Sequence, residues 1–263
     1  MTILGCGGSA GVPQLGGPDG SGDWGACDPL EPRNRRTRSS IVIEGQGGQR
    51  LLVDASPDMR AQLLACAVPR IDAILFTHAH ADHVLGIDDI RILNRIAGRP
   101  LDAFAEGRTM AELLRRFDYA FKEWTQPHFF RPVLVPRTVE FGEVIETAGL
   151  VLQTFEQDHG FIPTMGLRAG AFGYSTDVVK LSPAALALLR GVDTWIVDCF
   201  QRRAHTTHAN VDQVIAWYRG VNPRRMVLTH MGYDVDWSWL VAKLPPGIEP
   251  AHDGMVLDVP DFP

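Results

Sequence analysis

The segment His78-Ala79-His80-Ala81-Asp82-His83 places three histidines and an aspartate within six residues. It follows residues 71–77, a mostly apolar run that predicts a buried strand. His78 and His80 stand two positions apart, so they face the same way on an extended segment. Neutral imidazole and carboxylate groups are ligand types that Zn²⁺, Mn²⁺ and iron accept. The segment therefore predicts a metal site at the C-terminal end of a strand.

Each of these residues also has an ordinary structural interpretation when it is considered alone. Asp82 could serve only as the N-cap of the helix that is expected to follow it. A single histidine after a strand is usually hydrogen-bonded or exposed to solvent. Four metal-competent side chains in six residues are hard to explain in that way, so we favour the metal site.

The overall composition is that of a globular protein without an electrostatic bias toward nucleic acid. The chain has 263 residues, of which 45% are hydrophobic and 21% charged. This length gives room for one large domain or two small ones. The net charge of −6 provides no global basic field that would recruit nucleic acid. We therefore expect no stable nucleic-acid partner.

The cysteines and the apolar runs indicate a cytoplasmic protein. The four cysteines, at positions 6, 27, 66 and 199, form no CxxC pair and do not suggest a disulfide scaffold in a chain of this length. No basic-then-apolar stretch at the start indicates a signal peptide. No apolar run approaches the roughly 20 residues that span a bilayer. We expect no membrane partner.

Strand-like and helix-like runs alternate along the chain without a linker or an internal repeat. The predicted strands are residues 2–4, 40–44, 50–54, 71–77, 139–144, 150–156, 165–174, 194–198 and 225–229, with two further pieces near 248 and 256. The predicted helices are residues 57–66, 82–96, 109–117, 182–189, 210–218 and 237–243. Residues 13–37 predict a surface loop. This pattern predicts one α+β domain over residues 1–263, with two sheets flanked by helices.

The HxHxDH pattern at residues 78–83 resembles the signature of the metallo-β-lactamase superfamily. Further motifs of that superfamily follow in order, each at the end of a strand-like run. They are Asp54 after an early strand, His159 and Asp177 in the middle of the chain, and His230 after a late strand. The resemblance covers nearly the whole chain. It implies the metallo-β-lactamase fold, an αββα four-layer sandwich.

The resemblance also implies how these side chains hold two divalent metal ions, Zn or Mn. The ligands implied for one ion are His78, His80 and His159. The ligands implied for the other are Asp82, His83 and His230, and Asp82 is taken as a catalytic residue as well. Asp177 would bridge the ions, and Asp54 would orient a ligand imidazole from behind. Two ions roughly 3.5–4 Å apart can share a hydroxide and stabilise a phosphoryl oxygen.

Finer features resemble one branch, the phosphoribosyl cyclic phosphodiesterase group (the PhnP accessory proteins of phosphonate breakdown). These features are the segment Gly5-Cys6-Gly7-Gly8-Ser9-Ala10-Gly11-Val12-Pro13, residues 36–40, 197–199 and 229–231, and the run His208-Ala209-Asn210. In that group and in tRNA 3′-processing ribonucleases, a histidine placed like His208 is a proposed general acid or phosphate contact. We therefore expect His208 to be catalytic, because a leaving alkoxide benefits from a positioned proton donor. His205 is the rival, and His208 could instead merely start a helix.

One departure from that group concerns its structural zinc site. The group's phosphonate-pathway protein holds this zinc with extra cysteines in the first loop. Here residues 14–28 offer only Cys27, and Tyr233 stands where a partner histidine is expected. We expect this zinc site to be absent and the substrate to differ accordingly.

The leading hypothesis is a metal-dependent phosphodiesterase that cleaves a small cyclic phosphate or nucleotide-like phosphodiester with a hydroxide bridging the two ions. A tRNA 3′-processing-like endoribonuclease is the nearest alternative, but the charge of −6 and the lack of a basic arm argue against it. Hydrolysis of a thioester or lactone on the same metals is a second alternative, and a non-enzymatic metal-binding role is a third. Relatives are often dimers, so a homodimer is possible.

Two further segments allow two interpretations each. The arginine-rich segment at residues 33–38 could contact phosphate or could be a solvated face. The aromatic stretch at residues 117–130 could stack on a nucleotide-like base, or its rings could pack within an inserted helix, which we favour. His128 could contact substrate, although a surface position is the better interpretation.

Overall fold

The computed structural model describes residues 1–259, in which two β-sheets share one buried core. The strands of the first sheet, in spatial order, are β1 (Thr2–Gly5), β2 (Ser40–Glu44), β3 (Arg50–Val53), β4 (Ala73–Leu75), β5 (Leu101–Ala105) and β6 (Leu134–Thr138). Those of the second sheet are β7 (Val144–Thr147), β8 (Leu150–Asp158), β9 (Pro163–Ala169), β10 (Phe172–Ser175), β11 (Thr194–Asp198), β12 (Arg225–Thr229) and β13 (Ile248–Pro250). Each sheet has an antiparallel half and a parallel half.

The helices are α1 (Met59–Ala65), α2 (Ala81–Val84), α3 (Ile90–Ala97), α4 (Gly107–Arg116), α5 (Pro183–Leu189), α6 (Val211–Val221) and α7 (Trp237–Lys243). Helices α5, α6 and α7 begin at capping side chains, which is why their starts are readable from the sequence. The caps are Ser182, Asn210 and Asp236, whose side-chain oxygens accept backbone N–H groups at 3.1, 3.0 and 2.8 Å. Within residues 1–259, no helix is long and apolar enough to cross a bilayer.

Alternation along the strands divides the core into two clusters. Ile41 and Ile43 point into the cluster between the sheets, whereas Val42 points to the outer face of the first sheet. Helices α1, α3 and α4 cover that outer face. Helices α5, α6 and α7 pack on the second sheet, and their buried residues belong to the same cluster as Ile41 and Ile43. This period of two follows from the pleat of a strand. The predicted αββα four-layer sandwich is confirmed.

The predicted strand at residues 139–144 is wrong, and the sequence pattern does not predict strands β5 and β6. The chain turns at Gly142, which has φ of +93°, as it passes from β6 to β7. Strand β6 is not predicted because its sequence lacks an apolar alternation. It is an edge strand, it contains Pro136 and Arg137, and only Leu134 is fully buried. Strand β5 does alternate, but two of its three buried residues are alanines, so its apolar pattern is weak.

Two other predicted elements are each divided in the structure. Residues 165–174 form the hairpin of β9 and β10 rather than one strand. The predicted helix at 82–96 is interrupted at Gly86, whose N–H donates to the Ala55 carbonyl at 2.9 Å. A Cβ at Gly86 would lie 2.2 Å from the Ser56 carbonyl oxygen, so only glycine allows this approach. The interruption separates the short helix α2, which carries Asp82 and His83, from α3.

Candidate metal centre

The candidate site forms where strand ends of both sheets meet. Asp54 follows β3, His78 follows β4, His159 follows β8, Asp177 follows β10 and His230 follows β12. Strands β3 and β4 run parallel, as do β10, β11 and β12, so their C-terminal ends lie on one edge of each sheet. Crevices at such carboxyl ends are common ligand sites in parallel sheets. The fold thus gathers residues that are far apart in the sequence.

The backbone is strained at three of these positions. Asp54, Asp177 and His230 have φ of 64°, 50° and 55°, in the left-handed region. Such conformations cost on the order of 1–3 kcal/mol for residues other than glycine and cluster at functional sites. Three of the six positive-φ residues other than glycine within residues 1–259 are therefore in this one site. The fold therefore directs these three side chains toward the site although their backbone conformations are unfavourable.

The first group of candidate ligands is His78, His80 and His159, whose ligand atoms lie within 4.8 Å of one another. The Nδ1–H of His159 donates to the Thr207 carbonyl at 2.8 Å, which leaves Nε2 with its lone pair. Burial lowers the pKa of His159 and holds that of His78 well below its ordinary value. Burial also lowers the pKa of His80, the most exposed of the three. Neutral imidazoles of this kind are ready to bind a cation.

The second group is Asp82, His83, Asp177 and His230, all buried and again within 4.8 Å of one another. His83 Nε2 lies 3.2 Å from carboxylate oxygens of both Asp82 and Asp177. His230 Nε2 lies 3.3 Å from Asp177 Oδ1. The same Asp177 oxygen is 3.8 Å from His78 Nε2, in the first group. Asp177 thus stands between the groups, in the position that the family resemblance implies for a bridging ligand.

Asp54 lies behind His83, as the resemblance implies. Its Oδ2 atom is 2.7 Å from His83 Nδ1, and both residues are fully buried. The other contacts of the carboxylate come from Thr77, whose backbone N–H and hydroxyl both donate to it at 2.8 Å. A carboxylate bound in this way fixes the ring of a ligand histidine and leaves Nε2 facing the centre.

Unpaired buried nitrogens make this donor set suitable for a metal ion. The Nε2 atoms of His78, His83 and His230 are buried and have no hydrogen-bond partner within residues 1–259. Leaving such an atom unsatisfied costs roughly 1–3 kcal/mol, so these atoms need a ligand. Mixed imidazole and carboxylate donors suit a divalent transition-metal ion.

The charges of the second group also favour a cation. Burial acts to lower the pKa of His83, but the carboxylates of Asp177, Asp54 and Asp82 outweigh it and raise that pKa well above its ordinary value. Burial also acts to lower the pKa of His230, but nearby carboxylates, chiefly Asp177, outweigh burial and raise that pKa to about 9. The carboxylates therefore create a field that holds positive charge at the centre, as protons or as metal ions.

His208 lies on the wall of the centre, and its partner is Asp198. The His208 Nδ1 atom is 2.8 Å from Asp198 Oδ2, which also accepts the Val178 N–H at 3.0 Å. The ring packs 4.7 Å from the rings of both His159 and His230. The motif at residues 197–199 contains Asp198, but this role is not evident from the motif alone. The available signal is an acidic residue at the end of the buried strand β11, in the same position as Asp54 after β3.

A cavity of about 220 Å³ opens onto both ligand groups. Its lining residues are Ser9, His80, Asp82, His159, Phe161, Ile162, Asp177, Thr207, His208 and His230. His205 does not line this cavity, and its Nδ1 atom instead accepts the Thr207 N–H at 3.3 Å. Of the two candidate proton donors, His208 is the one that faces the cavity. Phe161 and Ile162 belong to no motif that the sequence reveals.

The arginine-rich segment at residues 33–38 binds to the protein itself rather than to the cavity. Arg36 is buried and donates to the carbonyl oxygens of Gly232 and Val235 at 3.1 and 2.9 Å. The ion pairs of the segment are Arg33–Glu31 at 2.6 Å and Arg38–Asp58 at 2.9 Å. Arg36 and Arg38 fasten the long first loop to the body, whereas Arg35 is exposed to solvent. None of these arginines lines the cavity, so a phosphate contact there is not what they provide.

The aromatic stretch at residues 117–130 packs away from the metal centre. It contains a 3-10 turn, Asp118–Ala120, and no α-helix, so the expectation of an inserted helix is wrong. Trp124 stacks on Phe129 with centroids 4.5 Å apart. None of its rings, nor His128, lines the cavity at the ligand groups, so these particular rings do not stack on a base there.

Comparisons with known proteins agree with this geometry. The sequence model of the beta-lactamase superfamily domain matches residues 49–231, a range that contains both ligand groups. The crystal structure of a diphosphatase from the PhnP family is 32% identical with a TM-score of 0.86, over 97% of this chain and 94% of that chain. The short form of human tRNase Z has a TM-score of 0.69 over 99% of both chains. Its identity is 16%, so that likeness concerns the fold alone.

A curated relative matches nearly the whole chain but is much longer. It is an octanoyltransferase of Porphyromonas gingivalis, 28% identical over 255 residues, which are 96% of this chain. The chain spans 50% of that protein's length. The name octanoyltransferase describes that longer protein as a whole, of which this chain matches half.

Metal binding is expected to release protons. Carboxylates raise the pKa of His230 to about 9, so this ring holds an extra proton at pH 7 in the metal-free protein, and an ion must displace it. The raised pKa of His83 acts in the same direction. Calorimetric titration of metal-free protein with Zn²⁺ in two buffers of different ionisation enthalpy should show release of at least one proton per chain, and affinity should weaken as pH falls. Asp54→Asn should release fewer protons. A heat that does not depend on the buffer would contradict this charge distribution.

Proposed function

The chain belongs to the beta-lactamase superfamily, and from that premise we propose that it is a hydrolase with two divalent metal ions that cleaves small phosphodiesters. The observation that carries the proposal is the position of Asp177. Its Oδ1 atom lies 3.7 Å from His159 Nε2 in one ligand group and 3.3 Å from His230 Nε2 in the other. One carboxylate can therefore serve two ions, which suits the in-line displacement of a phosphoester.

The proposed ligands are those that the structure brings together. One ion would be held by His78, His80 and His159. The other would be held by Asp82, His83 and His230, with Asp177 shared. Zn²⁺ and Mn²⁺ both accept this mixture of nitrogen and oxygen donors. Bound there, the ions would lower the pKa of a water molecule and stabilise negative charge on the phosphoryl group.

His208 is the proposed proton donor to the leaving oxygen. A carboxylate only accepts, so the 2.8 Å contact with Asp198 has His208 Nδ1–H as its donor. This bond leaves Nε2 on the cavity side, where it can give a proton to the departing group. Asp198 is then a positioning residue, because it is fully buried and does not line the cavity. Its other oxygen, Oδ1, lies 4.0 Å from Nδ1 of the candidate ligand His230. Asp82 stays among the ligands, and its catalytic role would come through the ion that it holds.

The similarity to a PhnP-family diphosphatase supports phosphorus chemistry rather than acyl chemistry. This support is an argument from likeness, since one fold hosts several chemistries. Hydrolysis of an acyl ester is the second candidate, and the likeness to an octanoyltransferase favours it. The chain covers only half of that protein, so this likeness carries less weight. The endoribonuclease alternative is weaker still, because the chain is acidic and its arginine-rich segment is bound internally.

The remaining features of the proposal concern the protein's surroundings. Residues 1–263 would act as one hydrolase domain, since buried residues of both sheets pack in one cluster; residues 260–263 lie outside the described residues. The partner would be a small phosphodiester, without a nucleic-acid or membrane partner. A cytoplasmic location is supported by the four cysteines, which are all unpaired.

Turnover of bis(p-nitrophenyl) phosphate should depend on added metal. Chelator-stripped protein should be inactive, and refilling with Zn²⁺ or Mn²⁺ should restore release of p-nitrophenol. A p-nitrophenyl acyl ester and an alkyl thioester assayed in parallel test the acyl alternative. If the refilled protein cleaves the acyl esters and no phosphodiester, the proposed function is wrong.

Substitution of His208 should slow turnover without loss of metal. We expect His208→Ala to lose on the order of 10²–10⁴-fold in kcat on a substrate with an alkoxide leaving group, such as a nucleoside 2′,3′-cyclic phosphate. The loss should be much smaller on a p-nitrophenyl ester, because p-nitrophenolate leaves without protonation. Asp198→Asn should give an intermediate loss with the same dependence on the leaving group.

His205→Ala is the matched control for these variants, because His205 lies nearby but does not line the cavity. Its rates should equal those of the parent. Equal losses on both substrates in His208→Ala would exclude the proton-donor role.

A further inference from the structure

Phe161 is an apolar side chain exposed at the edge of the metal centre. It is 86% exposed and lines the 220 Å³ cavity two residues after the candidate ligand His159. Single exposed apolar residues are common on protein surfaces and need no function. This one differs in that its exposed ring borders the space in which a substrate must lie.

The turn that carries Phe161 is well braced. The Phe161 N–H donates to the His159 carbonyl at 3.0 Å, and the His159 N–H donates to the Ile162 carbonyl at 3.1 Å. Gly160 has φ of +82°, and a Cβ there would lie 2.8 Å from the Thr206 carbonyl oxygen. The turn is therefore packed closely against the loop that carries His208. A backbone held in this way loses little conformational entropy when a ligand binds.

The rest of the cavity wall is polar. Of its ten lining residues, Phe161 and Ile162 are the apolar ones, and the others carry hydroxyl, imidazole or carboxylate groups. Within residues 1–259, no aromatic ring stacks on Phe161, so both faces of its ring are free of aromatic partners. The non-reacting part of a substrate would find its main apolar contact here.

The space beside the cavity is large enough for a nucleoside-sized group. A second cavity of about 390 Å³ shares His80 and Ile162 with the first and extends to helix α4 at Arg108 and Thr109. A substrate whose phosphorus lies at the ligand groups can therefore extend past Ile162. The reacting phosphate alone would leave this adjoining space empty.

We propose that Phe161 is a stacking platform for a planar aromatic ring of the substrate, so that the site prefers phosphodiesters that carry a nucleobase-like group. This inference rests on the proposed phosphodiesterase function and narrows its substrate class. Aromatic side chains stack on any base, because every base has a π-face. Phe161 is then a specificity-determining residue that favours an aromatic group without selecting one base.

The test compares two substrates with the same reacting group. Adenosine 2′,3′-cyclic phosphate and methyl riboside 2,3-cyclic phosphate differ only at the anomeric carbon, which carries adenine in the first and a methoxy group in the second. The metal-loaded protein should show a kcat/KM that is roughly 5- to 150-fold higher for the adenosine compound, the range that base–aromatic stacking gives. Phe161→Ala should remove this ratio, mainly through KM, whereas Phe161→Tyr and Phe161→Trp should keep it. Phe130→Ala, at a ring that is 77% exposed and does not line the cavity, is the control.

Binding of the reaction product gives a measurement that does not depend on turnover. The Kd of adenosine 3′-monophosphate, measured by calorimetry, should rise by a similar factor in Phe161→Ala and stay near the parent value in Phe161→Tyr. Nuclear Overhauser contacts should connect the adenine protons with the Phe161 ring. A thermal melt confirms that each variant is folded.

The outcomes separate failure of this inference from failure of the proposed function. Equal rates for the two cyclic phosphates in the parent, or an unchanged ratio in Phe161→Ala, would overturn the stacking platform and leave the phosphodiesterase standing. If neither cyclic phosphate is cleaved while nucleotide binding still depends on Phe161, the platform is supported and the proposed chemistry is wrong.

Discussion

The buried carboxylate of Asp177 is the group around which the site is organised. Its two oxygens lie 3.2 to 3.8 Å from nitrogens of four histidines, His78, His83, His159 and His230. Burial acts to raise the pKa of this carboxyl, but the nearby histidines outweigh burial and hold it well below its usual range. A buried anion of this kind is stable only where positive charge surrounds it. The requirement explains why strand ends of both sheets converge on this one position.

The centre is supported from behind by a second pair of carboxylates, one from each sheet. Asp54 follows β3 and contacts His83 at 2.7 Å, and Asp198 ends β11 and contacts His208 at 2.8 Å. Both carboxylates are fully buried and hold an imidazole by Nδ1. One imidazole is a candidate ligand and the other a candidate proton donor. A buried carboxylate that contacts Nδ1 therefore orients both imidazoles, although their proposed roles differ.

Much of this arrangement can be predicted from the sequence, because the ligand types occur at the ends of strongly apolar strands. The segment at residues 78–83 and the motifs that follow it along the chain are sufficient to indicate both ligand groups. Strands β5 and β6 are not predicted because their apolar patterns are weak. The tasks of Asp198 and Phe161 depend on contacts across the fold, between β11 and the loop at His208 and between two loops at the cavity. Contacts between residues that are far apart in the chain cannot be read from the order of the residues.

Metal content per chain, measured by elemental analysis of the refilled protein, tests the central role of Asp177 most directly. The parent and His205→Ala should each hold two ions per chain, because their ligand sets are intact. Asp177→Ala should hold fewer than two and should lose turnover with the missing ion, because it removes the carboxylate common to both groups. Two ions and full turnover in folded Asp177→Ala would contradict the account.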